Sequence, residues 1–467
     1  MVELTQYCME ENDMEIKERV ASYRDEIVER LGKLVAVNSA MGTTEENAPF
    51  GKGPAEVLDR ALAMLDADGF KTVNLDHYAG YAECGEGDQV IGIIGHLDVV
   101  PARKEDGWNT DPFTMVEKDG ILYGRGVSDD KGAVVASMIA LKVLRGMGTP
   151  LNKRIRLIMG TNEESGSKGL AYYVSKEGSV DYGFTPDGEF PAIHGEKGML
   201  HGTIESKSTN LIDIEGGTAS NIVCSRCYAV VKKNSYSSKK LEDYFNNLSI
   251  PFTVEDAGEE TVKITVQGKA AHASTPEKGV NAISHLLEGL RSAGFQDPFT
   301  NFYCTRIGTA TDGSGLNAAC ADDYGALTLN NGKISMKDGV VKGTIDIRFP
   351  VTLTSRQVLG MMEGRTESEE GIVKLSAGAE PLFFAPDSPL VTCLSSAYEE
   401  VTGDHENKPM VIGGGTYAKG IRNTIAFGCA FPGKDYHIHD ANEWVSVDEL
   451  LLQAEIYVRG IQKLLEL

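Results

Sequence analysis

Residues 90–98 read VIGIIGHLD, a short apolar run that ends in His96 and Asp98, and this run decides the predicted fold. Residues 154–160, RIRLIMG, form a second run of the same kind, and both have the composition of strands buried on both faces. Residues 131–148 between them have helical spacing. Strand–helix–strand alternation predicts right-handed crossovers and a largely parallel sheet. We therefore expect an α/β fold with a mostly parallel central sheet flanked by helices.

The sequence changes character near residue 190 and changes back near residue 382. Between these points, polar and apolar residues alternate, and Asn-Gly and Asp-Gly turns join the runs, which is typical of antiparallel strands. We predict an inserted α+β lid domain at 191–381. Residues 1–190 and 382–467 are predicted to form one discontinuous catalytic domain. The predicted helices lie near 14–37, 54–69, 131–148, 167–178, 237–249, 278–293, 354–366, 388–402 and 447–467.

The composition is that of a globular protein. With 467 residues, of which 41% are hydrophobic and 24% charged, the chain is long enough for two domains. A formal charge of −23, without a basic run to offset it, disfavours nucleic acids and anionic membranes as partners.

Several features predict a cytoplasmic protein. The first twenty residues lack the basic start and apolar stretch of a secretory signal, and no apolar run reaches the ~18–20 residues of a membrane span. Of the eight cysteines, only Cys224 and Cys227 form a C-x-x-C pair. We interpret them as reduced neighbours, with a redox role as the less favoured alternative.

Polar residues follow the predicted strands of the first domain where those strands end. They are His96 and Asp98 after 90–95, Glu163 and Glu164 after 154–160, Asp187 after 182–186, and His437, His439, Asn442 and Glu443 after 424–429, with Asp129 and Asp130 in the glycine-containing stretch 124–132. Each alone could be a hydrogen-bonded structural residue. Ligands of open parallel sheets bind outside the carboxyl ends of strands, so we expect these side chains to converge, and such an excess of acids would repel without cations. The donor types fit zinc, manganese or cobalt.

Five sequence motifs resemble those of the di-zinc exopeptidase superfamily of aminoacylases, carboxypeptidase G and succinyl-diaminopimelate desuccinylase. The length of the chain, the size of the insert and the stretches FPAIHGEKG and IGGGTYAKG resemble peptidase V-type dipeptidases most closely. The resemblance spans nearly the whole chain. The five motifs are GHLDVVPA (95–102), GRGVSDDKG (124–132), GTNEESGSKG (160–169), FTPDGEFP (184–191) and HDANEW (439–444).

The resemblance implies a site for two divalent cations, with zinc favoured and manganese or cobalt as alternatives. It implies that His96 and Asp187 bind one cation, that Glu164 and His439 bind the other, and that Asp129 bridges both. The family pattern places the histidine ligand three residues before Asn-Glu, which selects His439 rather than His437.

The resemblance also implies roles beside the cations. Asp98 would orient His96 through its second ring nitrogen. Glu163 would be the general base, taking a proton from a water activated by the cations and delivering it to the leaving amine. The peptide bond between Asp129 and Asp130 is the candidate for the cis linkage of the family.

Substrate-binding roles in the insert follow from the same resemblance. His272 would stabilise the oxyanion, with a loop histidine of no role as the alternative, and Arg348 would bind the substrate carboxylate unless it forms a surface ion pair. Asn221 matches a lid asparagine, although the family continues Met-Val-Pro where this chain has residues 222–224, Ile-Val-Cys. From the residues themselves, we interpret a stretch after the predicted insert as a backbone nest approached by substrate: Gly413, Gly414, Gly415 and Thr416.

The main hypothesis is therefore a metal-dependent dipeptidase that acts as a monomer on short peptides with a free N-terminus. The alternative enzyme is a deacylase of N-acyl amino acids of the desuccinylase or deacetylase type, which would use the same cations. A metal-binding regulator without catalysis is a third hypothesis, but it predicts loss of Glu163 or of His272, and both are present.

Overall fold

The computed structural model of the chain describes residues 14–467, which divide into two compact units. Most of the N-terminal segment examined for a secretory signal lies outside these residues. Unit 2 comprises Glu196–Phe383 and Val411–Gly414, and unit 1 comprises the remaining described residues. The first boundary falls after Gly195, where the sequence prediction placed it after residue 190. Residues 411–414 had been predicted in the first domain, but they belong to unit 2.

Eleven helices are found among residues 14–467. They are α1 (14–21), α2 (Arg24–Val35), α3 (Lys52–Ala67), α4 (Lys131–Gly146), α5 (Lys168–Glu177), α6 (Ser238–Leu248), α7 (Ala282–Ser292), α8 (Pro298–Arg306), α9 (Ser355–Met361), α10 (Pro389–Thr402) and α11 (Val447–Glu466).

The predicted helix 14–37 is broken after α1. The hydroxyl of Ser22 donates to the carbonyl of Arg19, a local bond that competes with helix propagation. Helix α7 begins later than predicted because Asn281 caps it, accepting hydrogen bonds from the backbone N–H groups of Ile283 and Ser284. Helix α8 was not predicted, although Asp297 before Pro298 is a recognisable start signal.

Unit 1 is built on a sheet whose central strands are parallel. Its strands are β1 (Lys71–Leu75), β2 (Ala79–Cys84), β3 (Val90–His96), β6 (Arg154–Gly160), β7 (Tyr182–Thr185), β8 (Ile193–Glu196, the last residue belonging to unit 2) and β23 (Thr424–Ala426), in the order β1-β2-β6-β3-β7-β23-β8. Strands β6, β3, β7 and β23 pair in parallel, and the outer pairs are antiparallel. A separate small sheet contains β4 (Val116–Lys118), β5 (Ile121–Tyr123) and β24 (Trp444–Ser446).

The core of unit 1 lies between this sheet and its helices. Helix α4 is apolar on almost every side, and α2, α3, α10 and α11 contribute residues to the same buried cluster. Full burial of one large aliphatic or aromatic side chain contributes about 1.5–3 kcal/mol, so this cluster holds the parallel strand ends in place. The predicted α/β class is confirmed.

Unit 2 contains an antiparallel sheet. Its strands are β9 (Gly198–Lys207), β10 (Leu211–Gly216), β11 (Arg226–Lys232), β12 (Phe252–Asp256), β13 (Thr261–Gln267), β16 (Thr328–Asn330), β17 (Ile334–Lys337), β18 (Val340–Phe349), β19 (Glu367–Ser368) and β20 (Gly371–Ala379), in the order β12-β13-β11-β10-β17-β18-β9-β20-β19 with β16 on β18. The remaining short strands are β14 (Ala321–Asp322), β15 (Gly325–Ala326), β21 (Leu382–Phe383) and β22 (Met410–Ile412, which begins in unit 1). Helices α6, α7, α8 and α9 contribute to the core on this sheet.

Two further observations concern the described residues. From residue 14 onward, the chain contains no helix with the length and apolar character needed to cross a membrane. Cys224 and Cys227 are both buried and both free, as predicted, and burial raises the pKa of each thiol.

Candidate metal centre

Four of the predicted metal ligands lie at or near the ends of ordered elements of unit 1. His96 is the last residue of β3, Glu164 follows β6, and Asp187 follows β7. Asp129 precedes Asp130, the N-cap residue of α4, and the Asp129–Asp130 peptide bond is cis, as the resemblance implied.

The carboxylate of Asp129 has a histidine at each of its two oxygens. Its Oδ1 lies 3.0 Å from His96 Nε2, and its Oδ2 lies 3.0 Å from His439 Nε2. His96 Nε2 is also 3.8 Å from Asp187 Oδ2, and His439 Nε2 is 3.1 Å from Glu164 Oε1. The Nε2 atom of each histidine is therefore next to the Asp129 carboxylate and to one further carboxylate.

Two overlapping groups of donor atoms are compact enough to hold a cation. The donor atoms of His96, Glu163 and Asp187 all lie within 4.8 Å of one another, and so do those of His96, Asp129 and Glu164. Glu163, the predicted general base, thus stands among the possible ligand atoms. The alternative histidine, His437, is exposed, as is His439, but it is His439 whose Nε2 lies 3.0 Å from Asp129 Oδ2.

The electrostatics of the site fit cations. Burial opposes ionisation of His96, but the hydrogen bond and charge of Asp129 outweigh it and raise its pKa well above the usual value. Hydrogen bonds to Asp129 and Glu164 raise the pKa of His439 to about 11. Burial, followed by the charge of Asp187, raises the pKa of Glu163 well above its usual range. Without cations, these raised pKa values favour protonated side chains at the site. Divalent cations bound by imidazole and carboxylate groups would replace these protons.

Asp98 contacts the site differently from the prediction. The ring Nδ1 of His96 lies 2.9 Å from the backbone carbonyl of Asp98, whereas the Asp98 carboxylate is 3.6 Å away. The carboxylate instead accepts the backbone N–H of Glu163 at 2.9 Å and that of Glu164 at 3.1 Å. Asp98 therefore orients His96 through its main chain and the two glutamates through its side chain.

Two buried acids beside the site were given no role from the sequence. Asp130 Oδ2 accepts the backbone N–H of His96 at 3.1 Å. Glu443 accepts hydrogen bonds from the backbone of the loop that precedes Asp129. The Asn-Glu pair in the motif HDANEW pointed to Glu443 as a residue of interest. The hydrogen-bond partners of Glu443 could not be predicted, because they are more than 300 positions away in the sequence.

His272 lies in unit 2, and one hydrogen bond determines where its proton sits. Its Nδ1 accepts the backbone N–H of Ser274 at 3.2 Å, so the neutral ring carries its hydrogen on Nε2. Ser274 Oγ lies 2.7 Å from the same nitrogen. Asn221 is exposed, and its backbone carbonyl accepts the N–H of Ala273 at 2.9 Å. Unit 2 thus brings Asn221 and His272 together.

Arg348 is buried and nearly saturated with acceptors. Its Nε and Nη2 donate to the two oxygens of Asp346 at 2.7 and 3.0 Å. Its Nη1 donates to Met199 Sδ at 3.0 Å and to the carbonyl of Gly413 at 3.2 Å. A guanidinium has five N–H groups, so one on Nη2 remains after these four bonds. The surface ion pair considered as an alternative is excluded because both partners are buried.

The glycines of the predicted backbone nest, Gly413, Gly414 and Gly415, do not adopt positive φ, so a nest there would need a turn conformation rather than a left-handed residue. Gly413 instead permits close packing, because a Cβ atom there would lie 2.4 Å from Ser274 Cβ. Thr416 caps a short 3₁₀ turn by accepting the N–H of Ala418.

Comparison with known proteins places the chain among relatives that match nearly its whole length. "Putative dipeptidase YtjP" of Bacillus subtilis (strain 168) is 33% identical over 464 residues, covering 94% of this chain and 97% of the relative. "Putative dipeptidase SSP1012" of Staphylococcus saprophyticus is 34% identical over 469 residues, covering 96% and 99%. The crystal structure of human carnosine dipeptidase 1 matches with a TM-score of 0.59 and 18% identity over 97% of this chain and 99% of that chain, which shows a shared fold.

The chain combines a parallel sheet, an α+β insert and two histidines around a shared carboxylate, one at the end of strand β3 and one in a loop. This arrangement is that of a metallopeptidase, a class of hydrolase. The model of Peptidase family M20/M25/M40 matches residues 92–463. The chain belongs to this family, and the resemblance seen in its motifs is confirmed.

Proposed function

We propose that the protein is a metal-dependent dipeptidase that hydrolyses the amide bond of dipeptides with a free N-terminus. The observation that carries the proposal is the Asp129 carboxylate between His96 and His439, with Glu163 beside it. The relatives of 33–34% identity that bear the name dipeptidase support the same substrate class.

In this proposal, His96 and Asp187 hold one divalent cation, Glu164 and His439 hold the second, and Asp129 lies between them. Zinc suits these donors, and manganese or cobalt could replace it. When bound, such a pair of cations lowers the pKa of water and polarises the substrate carbonyl.

Glu163 is the proposed general base. It takes a proton from the attacking water and delivers it to the leaving amine. The Asp98 carboxylate accepts a hydrogen bond from the backbone N–H of Glu163, and this bond fixes the position of the backbone from which the Glu163 side chain extends. The partial burial of Glu163 favours a base whose pKa lies nearer neutrality than that of an exposed glutamate.

Unit 2 supplies the proposed substrate contacts. The Nε2–H of His272 is suited to donate to the oxyanion, because its Nδ1 is already an acceptor. The remaining N–H of Arg348 is proposed to bind the substrate carboxylate, and Asn221, beside the His272 loop, is proposed to donate to the substrate main chain.

The deacylase remains the second candidate because both reactions break an amide by the same route. A panel of dipeptides, N-acetyl amino acids and N-succinyl amino acids distinguishes the two. The protein is first treated with a chelator and then reloaded with Zn²⁺, Mn²⁺ or Co²⁺, and released amino acids are measured. We expect dipeptides with a free N-terminus to be cleaved at least tenfold faster, and equal cleavage of the acylated substrates would contradict the dipeptidase assignment.

We further propose that the protein acts as a monomer in the cytoplasm. The size of unit 2 supports the monomer, since a long insert can supply His272 and Arg348 from the same chain. The free cysteines among the described residues are consistent with a reducing compartment. Sedimentation of the active enzyme tests the first point.

A further inference from the structure

Glu443 is a fully buried carboxylate that binds the backbone of the segment ending in Asp129. Its Oε1 accepts the N–H groups of Gly126, Ser128 and Asp129 at 3.1, 2.9 and 3.1 Å. Its Oε2 accepts Arg125 Nη1 at 2.7 Å and the N–H of Gly126 at 3.0 Å. A carboxylate with this many charge-assisted bonds fixes the path of a loop more firmly than one backbone bond could.

The same residue belongs to the loop that carries His439. Residues 436–444 are closed by the N–H of Trp444, which donates to the carbonyl of Tyr436 at 3.2 Å. Within the loop, His439 and Asn442 have φ of 65° and 63°, in the left-handed region that non-glycine residues adopt only when their surroundings hold them there. Glu443 therefore joins the loop of Asp129 to the loop of His439. The two loops must keep this relative position, because His439 Nε2 lies only 3.0 Å from Asp129 Oδ2.

We propose that Glu443 is a positioning residue that keeps Asp129 and His439 correctly placed for the cation they share with Glu164. The inference rests on the proposed metal site and names a residue on which that site depends. The other cation depends less on Glu443, because His96 and Asp187 directly end or follow the parallel strands β3 and β7. Loss of Glu443 should consequently weaken one of two cation sites more than the other.

The test counts bound cations rather than activity. Wild-type protein and Glu443→Gln are equilibrated with Zn²⁺ in a chelator buffer, and zinc per folded chain is measured. Glutamine keeps the shape but places an amide N–H where a backbone donor or Arg125 requires an acceptor. We expect two strongly bound cations in the wild type, and one in the variant with a second that binds about 10–100-fold more weakly.

A matched control is available in Glu83. It is a partly buried carboxylate of unit 1 that accepts an arginine, Arg156 Nε at 2.6 Å, but it lies in strand β2. Glu83→Gln should lose stability in urea, as we also expect for Glu443→Gln, but should retain both cations. The inference would be overturned if the folded Glu443→Gln variant bound zinc at both sites with the same affinity as the wild type.

A second variant separates position from charge. Arg125→Met removes a positive charge near the site, so electrostatics alone predicts tighter cation binding. If Glu443 acts by position, the variant should instead bind the second cation more weakly, because the carboxylate loses its 2.7 Å partner. Tighter or unchanged binding would contradict positioning, and this variant also carries the test if Glu443→Gln fails to fold. A wild type that binds fewer than two cations would overturn the inference itself, whereas two bound cations without peptide hydrolysis would contradict only the proposed function.

Discussion

The imidazole Nε2 of His439 lies 3.0 Å from Asp129 Oδ2, the oxygen opposite to the one that faces His96. One carboxylate thus serves two histidines that are supplied by different parts of the chain. The residues around Asp129 are proposed to act as metal ligands, as a general base or as positioning residues, and four predictions test these roles.

Replacement of Glu163 by Gln should lower kcat about 10²–10⁴-fold and leave two cations bound, because the change removes the proton acceptor while keeping its size. The measurement combines steady-state kinetics with zinc content per chain. The donor atoms of Glu163 lie within 4.8 Å of those of His96 and Asp187, so loss of a cation in this variant would show that Glu163 is a ligand and not a base.

Cation binding should release protons near pH 7. Without cations the pKa of His439 is raised to about 11, and that of His96 lies well above its usual value, so both rings are protonated at neutral pH, whereas a metal ligand must be neutral. Binding therefore releases about two protons from the histidines, and the apparent affinity rises with pH.

Titration calorimetry in buffers of different ionisation enthalpy measures this release. The same pKa shifts also affect the stability of the chelated protein. A histidine whose folded-state pKa is raised stabilises the folded state fully below pH ~6.5, and this stabilisation is lost as the pH rises through the folded-state pKa. Proton uptake on zinc binding would contradict the prediction.

Replacement of Asp98 by Ala should reduce kcat about 10–100-fold while His96 stays in place. The carboxylate holds the backbone of Glu163 and Glu164, whereas the carbonyl that contacts His96 remains in the variant. Kinetics and zinc affinity check the result, and Asp98→Asn, which keeps one acceptor oxygen, should lose less activity. Equal losses for the two variants would argue against this backbone role.

Replacement of Arg348 by Met should both raise KM for dipeptides and destabilise unit 2. The stability loss is about 3–5 kcal/mol, because Asp346 would be left buried without its partner. The double variant Asp346→Asn with Arg348→Met should recover much of the stability but keep the high KM. Dipeptide amides, which lack the carboxylate, should show little change in KM, and an equal rise in KM for amides and acids would contradict carboxylate recognition.

The α/β class and the convergence of polar side chains at one edge of the sheet were predictable from the sequence because both depend on local order, whereas the individual ligand roles were implied by the family resemblance. A buried parallel strand must be apolar, and the first polar residues after it emerge at one edge of the sheet, so His96, Glu164 and Asp187 could be grouped without coordinates. Helix boundaries were less predictable: caps such as Asn281 and side-chain bonds such as that of Ser22 override the periodic pattern.

Only the tertiary structure decided how these residues are held. The carbonyl of Asp98, rather than its carboxylate, contacts His96, and the placement of Glu443 under Asp129 joins positions more than 300 residues apart. Arg348 proved to have most of its donors occupied, and Gly413 proved to serve packing against Ser274. The sequence by itself therefore determined the class of fold and the chemistry of the donors, because these follow from periodicity and residue type. The tertiary structure decided which atom meets which, because hydrogen-bond partners depend on loops brought together from distant parts of the chain.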